Sequence, residues 1–346
     1  MRNLQLFGNV APQTIGATEN YNTPSPLNTT KQNTTTADMS VTMKTFYDTA
    51  LLENARETMV FTELGDKQPM KGNTVEWRKF NTFDKAMNPL TEGVIPTGQN
   101  FGMTAITAQT NQYGDYVAVT DRLEMEAYDD VIFGATEEMG AAEGETFDTL
   151  TRNVLVAGNS RVFAPKIDAQ GAETPVTSRG DLDATAILTP KLVAQVATWL
   201  KKNKAPKING YYVMVIHPSQ AYDLRQSAEW KEFHKYDDVA PIYNGEIGTL
   251  HGIRFIESNN VKVYKASDSA PATYAAIALG AKAFGVLDPA GEGMEMIIKD
   301  KSQVGGPLNQ FSTIGYKFCH GAKILYQERL LRVETGSSYS DVDEEN

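Results

Sequence analysis

The sequence has a single cysteine, Cys319, in 346 residues. One thiol rules out an intrachain disulfide framework and fits assembly in a reducing cytosol. Positive charge is also scarce: Lys and Arg number 32 against 43 Asp and Glu, a formal net charge of -11. That balance disfavours broad electrostatic attraction to nucleic acid or to anionic membranes. No apolar run reaches the roughly 18 residues a membrane span needs, so none is expected. The first twenty residues mix Asn, Gln, Thr and Gly among short apolar groups, and no secretory signal is expected there.

Chemical signatures are missing as well. There is no P-loop, no dinucleotide-type glycine run, no zinc-protease histidine pair and no calcium-loop spacing. The histidines are His217, His234, His251 and His320. His217 precedes Pro218 and reads as the end of a strand. Cys319 and His320 are adjacent on an expected strand, so they face opposite ways and make poor joint ligands. Asp237-Asp238 and Asp181-x-Asp183 read as solvated loop carboxylates, and Gly291-Glu292-Gly293 reads as a turn. Trp77, Tyr113 and Tyr116 lack the interleaved basic residues of a base-stacking surface. No catalytic residue, cofactor or metal is expected.

What is present is a globular balance, 41% hydrophobic and 22% charged, enough for a real core. The length points to two domains, or to one elongated body with an insertion. The organising stretch is Asp129 to Asn159. Val131, Ile132, Ala135, Met139, Ala142, Phe147, Leu150, Val154 and Leu155 recur every three or four residues there, before Gly158 and Asn159 end the pattern. The spacing predicts a helix about 40 Å long. Gly134, Gly140 and Gly144 oppose it by up to about 1 kcal/mol each. Burial of Phe147, Leu150, Val154 and Leu155, at about 1.5 to 3 kcal/mol each, outweighs them.

In chain order, residues 1–40 are rich in Thr and Asn and read as a flexible arm. Lys44 to Leu64 carries Phe46, Tyr47, Ala50, Leu51, Ala55, Met59 and Val60 at helical spacing, a helix docked on its own subunit or on a neighbour. Asn73–Phe83 and Phe101–Thr120 read as the two strands of one long β-hairpin. Between them, Pro89, Gly93, Pro96 and Gly98 make a broad tip, longer than most hairpin connections. Met87, Leu90, Val94 and Ile95 in that tip predict a buried contact with another chain.

Arg161 to Asp183 has no period and reads as a surface excursion. Thr189-Pro190 predicts a helix start, and Lys201 and Lys202 suit that helix's C-terminal end. Tyr211–Ile216 reads as a buried strand, and Ser219 as the cap of the next helix. Leu250–Ile256, Val261–Tyr264 and Tyr274–Leu279 read as further strands, so residues 188–288 form an α/β module. Met294 to Val333 reads as one antiparallel sheet, and Gly336 to Asn346 as a disordered acidic tail.

This order, with flexible arm, amphipathic helix, long hairpin, long helix, inserted α/β module and final sheet, resembles the major capsid proteins of tailed bacteriophages, the HK-ninety-seven-like fold. Several stretches look like the coat-protein family named after phage N-four. They are Met43-Lys44-Thr45-Phe46-Tyr47-Asp48, Leu51-Leu52-Glu53-Asn54-Ala55-Arg56, Pro89-Leu90-Thr91-Glu92-Gly93-Val94, Gln112-Tyr113-Gly114-Asp115-Tyr116 and Asp148-Thr149-Leu150-Thr151. Gly315-Tyr316-Lys317, Ala322-Lys323-Ile324-Leu325 and Glu328-Arg329 extend the likeness to about residue 334. Residues 1–40 do not resemble the helical, charged delta domain that some such proteins use as a built-in scaffold.

The resemblance implies an α+β chain in five segments. These are an N-terminal arm (1–72), an extended loop (73–120), a peripheral domain with a spine helix (121–187), an axial domain (188–288), and a return sheet with tail (289–346). It implies copies joined as pentamers and hexamers into an icosahedral shell around double-stranded DNA, assembled in the cytoplasm of a bacterial host. Portal, scaffold and cement proteins are further partners, and DNA makes at most non-specific contact. The inter-subunit contacts would come from Lys85, Met87, Leu90, Glu92, Val94 and Ile95 at the hairpin tip and from Phe46, Tyr47, Leu51 and Arg56 in the arm. Met139, Phe147, Leu150 and Val154 would form the spine. Some capsids of this fold join subunits by a lysine–asparagine isopeptide bond; Lys85 is the only natural donor near the tip, and nothing in the sequence identifies an acceptor. An encapsulin-type nanocompartment shell and an α/β enzyme with a dimerisation arm are the alternatives.

Overall fold

A computed structural model describes residues 33–34 and 59–346, apart from 71–72, 82, 88, 96–97, 128–130, 169, 234–245, 266, 268–269, 290–294 and 305–307. The arm contacts expected at Phe46, Tyr47, Leu51 and Arg56 lie outside the described residues, as do His234, Asp237-Asp238 and Gly291-Glu292-Gly293.

The long helix runs unbroken over Val131–Val156, through all three glycines. Its middle packs on a four-stranded sheet ordered Asn33–Thr34, Asn111–Thr120, Phe311–His320 and Glu295–Lys299. Met139 is buried there beside Val119, Leu123, Ile314 and Phe318, with Phe147 and Leu150 partly buried against the same group. Farther along, Leu155 and Val156 cross onto one face of a seven-stranded sheet, against Val213, Val215, Ile256 and Ile277. Val154 is half-buried. One helix therefore covers two sheets, and Phe147 touches both cores.

The seven-stranded sheet is ordered Glu246–Leu250, Ile253–Glu257, Tyr212–Ile216, Thr273–Leu279, Leu330–Thr335, Arg161–Phe163, with Val263–Tyr264 paired to Thr273–Leu279. Its central strands are buried on both faces, which suits their runs of β-branched and small apolar residues. The helix Pro190–Lys202 covers the second face through Leu192, Val193, Val196 and Leu200. Thr189 caps it as expected, its hydroxyl accepting from the Leu192 N–H at 3.2 Å.

Several expectations are corrected. The described end of the first expected helix is a single 3-10 turn, Thr62–Leu64, followed by a strand, Asp66–Met70, that pairs in parallel with Phe284–Pro289. The second hairpin strand breaks at Thr110: Met103–Gln109 pairs with Thr74–Phe80, and Asn111–Thr120 pairs with Phe311–His320. The excursion after the long helix is woven in, since Arg161–Phe163 pairs with Arg332–Glu334 and Leu182 and Ala186 are core residues. Leu250–Ile256 is two strands, turned at His251 and Gly252, both at positive φ (54° and 84°), the primed geometry of a two-residue hairpin.

The helix after Pro218 is capped by His217, not Ser219. The His217 Nδ1 accepts from the Ser219 N–H at 3.2 Å, and the Gln220 side chain accepts from the His217 N–H at 3.0 Å. The closing strands do not form one sheet: Glu295–Lys299 and Phe311–His320 stay together, Ala322–Ile324 pairs with Phe284–Val286, and Leu330–Thr335 joins the seven-stranded sheet. Nor is the tail loose. Tyr274 donates its hydroxyl to Asp343 at 2.5 Å, Asn346 donates to the Val261 carbonyl at 3.0 Å, and Ser337 donates to the Ser219 carbonyl at 3.0 Å.

Candidate functional site

The hairpin Thr74–Gln109 is rooted by Trp77, whose ring covers Gly285 and packs with Val75, Ala108 and Leu287. A Cβ at Gly285 would stand 2.8 Å from Trp77 Cζ2, so this approach requires glycine. The Lys79 ammonium adds a contact 4.4 Å over the Tyr326 ring and lies 3.7 Å from Glu328. Past the root, the hairpin leaves its own core.

Phe80 stacks on Phe101 at 5.0 Å between ring centroids, and Phe83 stacks on Phe101 at 5.6 Å, yet all three are mostly exposed. Beyond them Gln99 bridges the neck. Its Oε1 accepts from the Asp84 N–H at 2.9 Å, and its Nε2 donates to the Asp84 carbonyl at 2.8 Å, replacing the ladder that has ended. At the tip the Val94 N–H donates to the Thr91 carbonyl at 3.2 Å, with Gly93 at φ 77°, as a type II turn demands.

The structure brings the expected tip residues together on this loop. Met87 is 80% exposed, Leu90 78%, Val94 62% and Ile95 93%, and Lys85 and Glu92 are exposed beside them. Phe80, Phe83, Phe101 and Met103 lengthen the apolar surface down the neck. The sequence reading does not include those four in the tip surface, although the aromatic Phe80, Phe83 and Phe101 flanking a glycine- and proline-rich segment are a readable sign. An exposed apolar surface of this kind is the candidate interaction surface of the described residues.

Titratable groups displaced from their ordinary range sit elsewhere, along the long helix and the tail. Burial raises the Glu143 pKa, and its Oε1 has no hydrogen-bond partner among the described residues. Burial also raises Asp148, in spite of hydrogen bonds from Thr62 and Asn260. Burial pulls His320 and His217 down to about 4, the latter with Asp343 pulling the other way. Asp183, one of the expected loop carboxylates, bonds Lys166 at 2.7 Å and the Thr185 hydroxyl at 2.6 Å.

An open trough of about 410 Å³ lies on the four-stranded sheet's face away from the helix, lined by Gly114, Tyr116, Gly315, Lys299 and Lys317. The displaced groups do not line it. Among the described residues no cluster of His, Cys, Asp and Glu is placed to hold a metal ion, and no helix is long and apolar enough to cross a membrane.

A family model described as phage capsid protein matches residues 121–305, more than half of the chain. No curated protein matches in sequence. Among solved structures, the capsid of cyanophage P-SCSP1u aligns over 87% of this chain and 95% of its own, with a TM-score of 0.63 at 16% identity. The capsid of cyanophage Pam1 aligns over 86% and 98%, with a TM-score of 0.66 at 13% identity. The capsid of Ralstonia phage GP4 aligns over 85% and 95%, with a TM-score of 0.61 at 16% identity.

Proposed function

The chain belongs to the phage capsid protein family and is a major capsid protein with the HK-ninety-seven-like fold, and from that premise we propose how its copies hold one another. The hairpin of one copy lies over the next, placing Met87, Leu90, Val94 and Ile95 on the neighbour. Lys85 and Glu92 flank that contact as charged rim residues. Burying each apolar tip side chain is worth about 1.5 to 3 kcal/mol, and contacts at several points on each subunit reinforce one another. The contact is heterologous, and with a five-fold or six-fold rotation between neighbours it closes into rings of five or six copies. The arm residues Phe46, Tyr47, Leu51 and Arg56 add a second point of attachment. The role is structural, not catalytic.

The shell is the virion capsid, and the reading extends to assembly in the host cytoplasm around double-stranded DNA. Portal, scaffold and cement proteins complete the particle. A net charge of -11 limits the grip of the inner wall on phosphate. The family match leaves the nanocompartment alternative without support.

One observation carries this reading: the hairpin's apolar surface has no counterpart in its own chain among the described residues. The test is the double substitution Leu90→Asp and Ile95→Asp, examined by circular dichroism and negative-stain electron microscopy. Folded subunits that no longer form rings or shells are expected. Normal particles from the variant would end the proposal.

A further inference from the structure

The seven-stranded sheet carries charge of opposite sign at its two strand ends. Tyr212–Ile216, Ile253–Glu257 and Leu330–Thr335 all point the same way, with Thr273–Leu279 antiparallel among them. Where the three begin, the loop after the helix Pro190–Lys202 meets the loop after Thr273–Leu279: the Ala281 N–H donates to the Pro206 carbonyl at 2.8 Å. Lys201, Lys202, Lys204, Lys207 and Lys282 are all exposed at this end. Among the described residues none of them is ion-paired, while lysines elsewhere in the fold, such as Lys166 and Lys191, are.

Two of these lysines occupy positions that favour another residue. The Ala205 N–H donates back to the Leu200 carbonyl at 3.0 Å, which closes the helix and leaves Lys204 in the left-handed conformation at φ 54°. Glycine or asparagine ordinarily stands there. Lys282 is at φ 55°. Fold stability alone does not select lysine at either position.

The opposite end is acidic. The tail crosses it, held by the Ala272 N–H on the Asp341 carbonyl at 2.9 Å and by Tyr274 on Asp343. Lys265 and Lys262 hold the tail through the Val342 carbonyl and Glu345. Asp341 and Glu344 remain exposed, and neither is ion-paired among the described residues.

We infer that the lysine end of one copy docks on the acidic tail end of the next copy in the ring. A ring contact is heterologous, so it needs two unlike, complementary patches on different parts of one surface. These two ends satisfy that in charge and in position. A two-fold contact would set like charge against like at either end. Each exposed pair is weak, but the contact repeats around the ring, steers the encounter and selects one partner orientation. This inference rests on the shell reading above.

The experiment uses the full chain with three variants: Lys201→Glu with Lys202→Glu and Lys204→Glu; Asp341→Lys with Glu344→Lys; and all five together. Rings and shells are counted by electron microscopy and sedimentation at low and at about 0.5 M salt. Each single-end reversal is expected to leave about tenfold fewer rings, with the five-fold swap restoring most of them and high salt weakening the wild type. Lysine-end variants that assemble like the wild type, or a swap that stays folded without recovering rings, would overturn the inference alone. Variants that close normal shells but retain less DNA would assign the lysines to phosphate binding, and that too overturns it. A wild type that forms no rings even with scaffold co-expressed removes the ring contacts of the proposed function, and this inference with them.

Discussion

Thr62 donates both its backbone N–H, at 2.9 Å, and its hydroxyl, at 3.1 Å, to a single carboxylate oxygen of Asp148. The other Asp148 oxygen accepts from Asn260 at 3.2 Å, and Asn260 Oδ1 accepts in turn from Arg152 at 2.9 Å. One side chain of the long helix thus fixes the segment entering from the N-terminal side and a loop at the end of the seven-stranded sheet.

Asp148→Ala leaves the buried Thr62 N–H and the Asn260 amide without their acceptor. The expected cost is about 2 to 4 kcal/mol by urea denaturation, from these two orphaned donors, the Thr62 hydroxyl keeping Thr151 Oγ1 at 3.2 Å. Asp148→Asn keeps one oxygen for Thr62 but sets an amide N–H₂ against that of Asn260, so an intermediate loss is expected. Equal stability for all three chains would show that the network contributes nothing.

The hairpin root is tested at Gly285. In Gly285→Ala the new methyl lands 2.8 Å from Trp77 Cζ2, and the indole has to move. Overpacking of this kind costs about 1 to 3 kcal/mol. Faster proteolysis within residues 73–110 is expected, with the seven-stranded sheet unaffected, because the methyl lies in the satellite cluster beneath the hairpin. Unchanged cleavage would mean that Trp77 is not the anchor.

His320 gives a pH dependence. Its ring lies edge-on to Phe147 at 4.4 Å between centroids, its Nε2 is 3.3 Å from Thr151 Oγ1, and its Nδ1 has no partner among the described residues. Burial holds its pKa at about 4 against an ordinary 6.5. Between those values the unfolded chain binds a proton that the folded chain refuses, so stability falls as pH drops through that window. The share from this ring is about 3 kcal/mol. Asp148 and Glu143, whose pKa values are raised, act oppositely and favour folding as pH falls. His320→Gln retains a hydrogen-bonding group near Thr151 and removes the titration, so its stability should decline less between pH 7 and about pH 5. Parallel declines in variant and wild type would contradict the assignment.

Much of this was legible in the sequence where a local signal and a tertiary demand agreed. Thr189-Pro190 caps and starts a helix, Tyr211–Ile216 reads as a buried strand and Tyr212–Ile216 is one, and the long helix outweighs its three glycines through Met139, Phe147 and Leu155. What was missed depends on partners far away in sequence. Asp66–Met70 contains Pro69 and no alternation, and is a strand because Phe284–Pro289 lies beside it. Asn111–Thr120 continues the pattern of Met103–Gln109, and only the change of partner at Thr110 divides them. The exposed apolar tip is legible because Leu90 and Ile95 are apolar among turn-formers, and the structure leaves both uncovered by the described residues. The tail was not, since its order comes from Tyr274, Asp223 and Val261 receiving a polar segment.

Glu334 has no exposed surface and holds two guanidinium groups: Arg179 at 2.6 and 2.8 Å, and Arg332 at 2.8 Å. Arg332 reaches on to the Val156 and Gly158 carbonyls, so this carboxylate ties the last strand to the end of the long helix. Burial alone would raise its pKa, but the Arg179 hydrogen bonds and charge, followed by those of Arg332, hold it below the ordinary range. Glu334→Ala strands the buried Arg332, and a loss of about 3 to 5 kcal/mol at pH 7 is expected. Glu334→Gln keeps the volume and one acceptor, so a smaller loss is expected. Because the folded pKa is depressed, the carboxylate's contribution is present above about pH 4.5 and is lost as pH falls through the folded value. The deficit of Glu334→Gln relative to wild type should therefore hold from pH 7 to about pH 4.5 and shrink as denaturation is repeated at progressively lower pH below it. A deficit that stayed constant would place the carboxylate's role in packing and not in its charge.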